Sequence, residues 1–136
     1  MRDLDEQRVA AWHAVLNWTI SDGQLGESPE RVAAGLDRQA LAEVIVWTIR
    51  WTLPRIRVQL DAAEGTPVGA LDILVSGSDA ARMAWTGLLS YTAVGDYDTA
   101  ALSVTQMSQE LAAEVLGLSF LMFVLILRGH LTIVRS

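Results

Sequence analysis

Cysteine and lysine are both absent from this chain of 136 residues. Without cysteine the protein can form neither a disulfide nor a thiolate metal site, and it has no cysteine nucleophile. Without lysine it can form no Schiff base, and it lacks the lysine of a phosphate-binding P-loop. Histidine is scarce as well, because the two copies, His13 and His130, lie near opposite ends of the chain. We therefore predict that the protein uses no metal site and no cofactor.

Charge is also sparse in this sequence. Charged residues make up 19% of the chain, with ten basic and sixteen acidic side chains and a formal charge of −6. Because the balance is acidic and the cations are scattered, nucleic-acid binding is not expected. The apolar fraction of 51% excludes a disordered chain, and the length predicts one domain over residues 1–136. The charged, acidic start of the sequence favours a cytoplasmic protein.

The apolar residues recur at spacings of three and four, which predicts an all-α bundle of about five helices. The first helix is predicted from Asp3 to Ile20. Ser28-Pro29-Glu30 combines an N-cap, a first-turn proline and an acid, and predicts a short helix that ends by Gly35. The remaining helices are predicted over residues 38–63, 80–94 and 99–128, the last of them long and apolar.

The second long helix, which begins at Arg38, is apolar in nearly all directions as far as Leu53. This pattern predicts a helix that is buried on most sides. Pro54 removes a backbone donor and is predicted to kink it. Residues 55–75 favour helices, one of them starting at Thr66, but alternating polar and apolar residues also fit a β-hairpin there.

One candidate ligand site lies on this second long helix. Glu43 and Arg50 each stand alone in an apolar stretch, and a charge in such a place needs a partner. Trp47 and Trp51 lie one turn apart on the same face, and aromatic clusters occur in ligand pockets as well as in cores. We therefore consider two interpretations, a structural ion pair within a packed core and a tryptophan-lined pocket with a polar floor.

Two polar groups are predicted to have only structural roles. Glu110 and Glu114 share one face of the last helix, which is typical of a solvated helix face. Ser78 and Asp79 follow a glycine turn and form an ordinary N-terminal cap, although an anion could bind at such a helix end. No Glu-x-x-His motif of the di-iron type accompanies the paired glutamates.

The last helix carries an uncharged run from Val115 to Leu127. This run is shorter than the roughly 20 apolar residues that span a bilayer, so a core or dimer-interface helix is favoured over a membrane anchor. Because the apolar surface exceeds what one small domain buries, we expect a homodimer formed through this helix. Its expected interface residues are Leu118, Leu121, Met122 and Leu125.

Three functions follow from these patterns. No complete catalytic set can be assembled, which favours a non-catalytic interaction or scaffold module that self-associates and binds an unknown protein partner. The second hypothesis is a small-molecule binding protein that uses Glu43, Trp47, Arg50 and Trp51. The third is a membrane-associated protein anchored by residues 115–128.

Overall fold

The computed structural model describes residues 5–59, 71–73, 78–127 and 133–135. In this part of the chain the elements are α1 (Glu6–Ile20), α2 (Pro29–Gly35), α3 (Arg38–Gln59), β1 (Leu71–Ile73), α4 (Asp79–Ala93), α5 (Tyr97–Thr105), α6 (Gln109–Leu127) and β2 (Ile133–Arg135). The all-α bundle predicted from the apolar spacing is confirmed, with six described helices rather than about five.

Side-chain caps set the starts of several helices, as the sequence predicts. Ser28 accepts a hydrogen bond from the backbone N–H of Arg31 and begins α2 with Pro29 in its first turn. Asp37 accepts from the Ala40 N–H at 2.8 Å and begins α3. Each cap satisfies an N–H group that has no partner within its own helix, so these boundaries are fixed by local chemistry.

The single helix predicted over residues 99–128 is wrong, because the chain turns after Thr105 and starts a new helix at Gln109. The hydroxyl of Ser108 caps the new helix by accepting from the Leu111 N–H at 3.1 Å. At the start of α3, Arg38 donates to the carbonyl oxygen of Met107 at 2.6 Å and so satisfies an acceptor that the break exposes. The apolar period continues across the break, which is why spacing alone predicts one helix.

Residues 55–75 differ in part from the expected helices. α3 continues through Pro54 to Gln59, so the proline does not end the helix. Leu71–Ile73, expected within a helix, is a strand that pairs antiparallel with Ile133–Arg135. The β-hairpin considered for residues 55–75 is also wrong, because residues 55–59 are helical and the strand Leu71–Ile73 pairs with a segment outside this range. The helix start predicted at Thr66 lies outside the described residues.

The core is centred on α3 and α6. α6 packs against α1, α2, α3 and α4, and α3 packs against α1, α4, α5 and α6. Burial on most sides of α3 is confirmed, since seven residues between Ala40 and Ile49 are apolar and buried. α6 is long and apolar enough to cross a membrane by length and composition alone, and 61% of its apolar window is buried within the bundle.

Four hydroxyl side chains are buried in the described core, and each bonds to a carbonyl one turn back in its own helix. Thr52 donates to Thr48, Thr92 donates to Leu88, and Ser119 donates to Val115. Thr48 likewise donates to the Val44 carbonyl. These bonds offset most of the free-energy cost of burying a hydroxyl group, and they need no hydrogen-bond partner on a neighbouring helix.

Candidate functional site

The four residues of the predicted tryptophan-lined pocket do not converge on one site. The carboxylate of Glu43 lies 2.5 Å from Nε of Arg8 on α1. The guanidinium of Arg50 lies over the ring of Tyr97 on α5, with Cζ 4.5 Å from the ring centroid. Glu43 and Arg50 are seven residues apart, which places them about 10 Å apart along the helix axis. The two charged residues therefore contact different helices, and no polar floor joins them.

Trp47 belongs to an aromatic cluster, defined here as Trp12, His13, Trp47, Trp51, Phe120 and Phe123. The Trp12 ring lies 5.2 Å from Trp47 and 5.7 Å from Phe120, so it joins α1 to α3 and α6. Its indole N–H donates to the hydroxyl of Thr48 at 3.0 Å. Trp51 lies at the edge of the cluster with 47% of its surface exposed. Edge-to-face packing of this kind is typical of a structural core.

The residues predicted for a dimer interface lie at different depths. Met122 is fully buried and Leu118 is nearly so, which places both within the core of the single chain. Leu121 and Leu125 are partly exposed. The structure therefore brings these four residues onto one helix but gives them no common exposed face.

Leu118 and Leu121 instead line a cleft of about 590 Å³ between α1, α2, α4 and α6. Its apolar walls also include Trp18, Pro29 and Ala81. Its remaining lining residues are Thr19, Asp22, Glu30, Ser78, Ala113, Glu114 and Gly117. The volume is within the range of natural ligand pockets, about 300–1,000 Å³.

The loop between α1 and α2 contributes Asp22 to the lining of this cleft. Three of its residues, Asp22, Gly23 and Gly26, have positive φ angles, of 54°, 89° and 74°. Gly26 lies so close to α1 that the next residue, Glu27, donates its N–H to the Ala14 carbonyl at 3.1 Å. This close approach holds the loop that contains Asp22 against α1.

Another part of the lining lies where α4 begins beside α6. Ser78 accepts a hydrogen bond from the Ala81 N–H at 3.1 Å, and its own hydroxyl donates to Glu114 at 2.5 Å. The same serine therefore caps α4 and holds the Glu114 carboxylate in place. Gly117, one turn further along α6, faces Pro29 so closely that an added Cβ would lie 3.3 Å from the proline ring. A side chain there would require the proline ring or α6 to shift by a few tenths of an ångström.

The charge lining the cleft is of one sign. Asp22, Glu30 and Glu114 each present a carboxylate, and among the described residues that line the cleft none is basic. Within residues 5–59 and 78–127 no three acidic or histidine side chains come close enough to hold a metal ion. The three carboxylates are thus spread around an apolar hollow, an arrangement that suits a larger cation with an apolar body.

Sequence patterns identify parts of this site without joining them. Glu114 is exposed, as expected for a solvated face, and Ser78 is a helix cap, as expected. Neither pattern shows that the two residues meet, because they are 36 positions apart. Trp18 and Asp22 carry no local signal for binding, since the first continues a helix face and the second lies in a polar loop.

The chain matches no protein-family model, no curated protein and no solved structure.

Proposed function

We propose that this protein binds a small organic cation with an apolar body in the cleft between α1, α2, α4 and α6. The observation that supports the proposal is the combination of an apolar hollow of about 590 Å³ with three carboxylates and no basic lining residue among those described. This keeps the small-molecule hypothesis but moves it from the Trp47 face of α3 to a cleft to which α3 contributes no lining residue.

The lining complements both the apolar body and the positive charge of such a ligand. Trp18, Leu118 and Leu121 offer apolar and aromatic surface on which hydrocarbon is buried at a gain of about 25 cal/mol per Å². An indole ring also attracts a cation held over its face. The carboxylates of Asp22 and Glu114 supply the complementary charge, and their open position makes their contribution sensitive to salt.

The first test is a titration with benzyltrimethylammonium, followed through the indole N–H signals of protein labelled with ¹⁵N. We expect a saturable shift of the Trp18 signal, with little change at Trp51. Benzyl alcohol and benzoate, which carry the same ring without the positive charge, are expected to bind more weakly. Equal shifts with all three compounds would refute recognition of charge, and no shift at Trp18 would refute the site.

A matched pair of variants tests the role of the carboxylate. Glu114→Gln keeps an acceptor for the Ser78 hydroxyl but removes the charge, so we expect binding about fivefold weaker. Glu110→Gln removes the same charge one turn earlier on α6, at a residue that does not line the cleft. It is expected to leave binding unchanged. Equal loss in both variants would mean that net charge, rather than this site, controls binding.

A second candidate function is association with a protein partner, including a second copy of this chain. The favouring observation is an apolar stripe on the outer face of α4, formed by Met83, Tyr91 and Val94, of which Met83 and Val94 are 75% and 79% exposed. Such a stripe is a reasonable contact surface. Light scattering after size-exclusion chromatography tests it: a dimer that Met83→Gln with Val94→Gln converts to monomer supports the proposal, and a wild-type monomer refutes self-association.

Membrane anchoring through residues 115–128 has weaker support. The side chains of α6 that an anchor would expose to lipid pack against four other helices. Insertion would require the core to open, with loss of the burial around Phe120 and Met122. Recovery of the protein in the soluble fraction without detergent would argue against this function.

A further inference from the structure

A second hollow, of about 370 Å³, lies where α3, α4 and α5 meet. Its walls are Leu53 and Pro54 from α3, Thr92 and Ala93 from α4, and Tyr97 from α5, and Arg50 provides its positive charge. It shares no lining residue with the acidic cleft, and none of its own lining residues is acidic. The two hollows are therefore separate and differ in the sign of their charge.

Arg50 lacks the oxygen partners that other partly buried arginines have. Arg8 and Arg82 pair with carboxylates, and Arg38 donates to backbone carbonyls. Among the described residues no oxygen accepts a hydrogen bond from the Arg50 guanidinium, and no carboxylate lies within ion-pairing distance of it. A partly buried cation without such a partner loses hydration that its surroundings do not fully replace.

The ring of Tyr97 stabilises the cation but leaves its donors unused. A guanidinium near an aromatic face gains electrostatic attraction from the ring. That contact supplies no oxygen acceptor, whereas arginine carries five N–H donors in a planar fork that matches carboxylate and phosphate groups. Tyr97 is also the first residue of α5, so the hollow lies at the start of that helix.

Nearby acids do not neutralise Arg50. Asp96 and Asp98 flank Tyr97 in the chain, but neither forms an ion pair with the guanidinium within the described structure. The Asp96 carboxylate instead accepts from the Thr99 N–H at 3.3 Å and caps α5. In a chain with a formal charge of −6, this hollow thus presents positive charge without a matching acid in its lining.

We infer that this hollow binds a small oxyanion, a carboxylate or a phosphate group, through the guanidinium of Arg50. The anion accepts hydrogen bonds from the free N–H donors, and Tyr97 holds the guanidinium from its other side. The inference is independent of the cation cleft, because it depends on other elements and on the opposite charge.

The test follows the arginine Nε–H signals of ¹⁵N-labelled protein during titrations with sodium phosphate and with sodium acetate. Sodium chloride at matched ionic strength serves as the control, and Arg50→Lys assigns the Arg50 signal. We expect this signal to shift saturably, with a Kd in the millimolar range, while the exposed Arg31 does not respond. The tighter of the two anions identifies whether the site prefers tetrahedral or planar groups.

Variants separate binding from a purely structural role of the stacked pair. In Arg50→Gln we expect phosphate or acetate to bind about tenfold or more weakly, the loss typical of a charge-assisted hydrogen bond, as followed at the Tyr97 amide. Arg31→Gln removes an equal charge elsewhere and is expected to change nothing. If Arg50→Gln does not fold, the wild-type titration still decides: a shift that chloride reproduces, or one that does not saturate, would overturn the inference.

Discussion

Replacement of Gly26 by alanine tests whether the loop that contributes Asp22 to the cleft is held by close contact with α1. The residue has a φ of 74°, and an added Cβ would overlap the Ala14 carbonyl oxygen and lie 2.8 Å from the Trp18 backbone nitrogen. Both atoms belong to the backbone of α1, so neither can move without distorting the helix. The loop must lift away instead, and the hydrogen bond from the Glu27 N–H to Ala14 is then lost.

Two terms contribute to the expected loss of stability in Gly26→Ala. A left-handed alanine costs about 1–2 kcal/mol relative to glycine, and loss of the loop hydrogen bond adds about 1 kcal/mol. We therefore expect Gly26→Ala to lower the free energy of unfolding by about 2–3 kcal/mol. Equilibrium urea unfolding measures this value, and a fall in Tm of roughly 3–5 °C for each kcal/mol accompanies it at this chain size.

Gly95→Ala is the matched control for Gly26→Ala. Gly95 has a φ of 80°, but nothing lies within 4 Å of its added Cβ. It therefore bears only the cost of the left-handed backbone, about 1–2 kcal/mol. If Gly26→Ala is no more destabilising than Gly95→Ala, the loop is not held against α1 as described. The position of Asp22 at the cleft would then need another explanation.

Two further predictions concern stability and are measured by the same urea unfolding. Trp12→Phe loses the indole bond to Thr48 and should cost about 2–3 kcal/mol, whereas Trp85→Phe removes a buried N–H that has no partner among the described residues and should cost about 1 kcal/mol less. Trp85 is the more buried of the two rings. If Trp85→Phe lowers the free energy of unfolding more than Trp12→Phe does, the loss of buried surface outweighs the relief of removing an N–H that lacks a partner among the described residues. Pro54→Ala restores an N–H to the Arg50 carbonyl and should raise the free energy of unfolding by up to about 3 kcal/mol; no gain would mean that the local backbone is already adapted to proline.

The helix starts are predicted most accurately where a side-chain cap within the same few residues determines them. Ser28 with Pro29, and Ser78, each begin a helix in the structure as the sequence predicts. A cap involves residues three positions apart, so its partners are visible in the sequence. The break near Ser108 escapes prediction because Arg38, which satisfies a freed carbonyl there, is 69 positions away from Met107.

The candidate sites are predicted poorly for the same physical reason. The pairing of Glu43 with Arg8 and the stacking of Arg50 on Tyr97 both depend on which helix packs against which face of α3. Periodicity shows that a face is apolar but does not identify its neighbour. The isolated Glu43 does have an ion-pair partner, whereas Arg50 contacts an aromatic ring, and both contacts depend on the packed bundle.

The buried hydroxyls have a consequence for how the helices are aligned. Thr52, Thr92 and Ser119 use their donors within their own helices, and Thr48 is the one buried hydroxyl of the described core that also binds another helix. Side-chain packing, rather than buried hydrogen bonds, therefore holds most of the core helices in register. Polar contacts between helices add to this, and the bond from Ser78 to Glu114 acts as a surface pin between the start of α4 and α6. The affinity of a ligand that binds beside Ser78 and Glu114 would therefore depend on whether the helices of the bundle are in register.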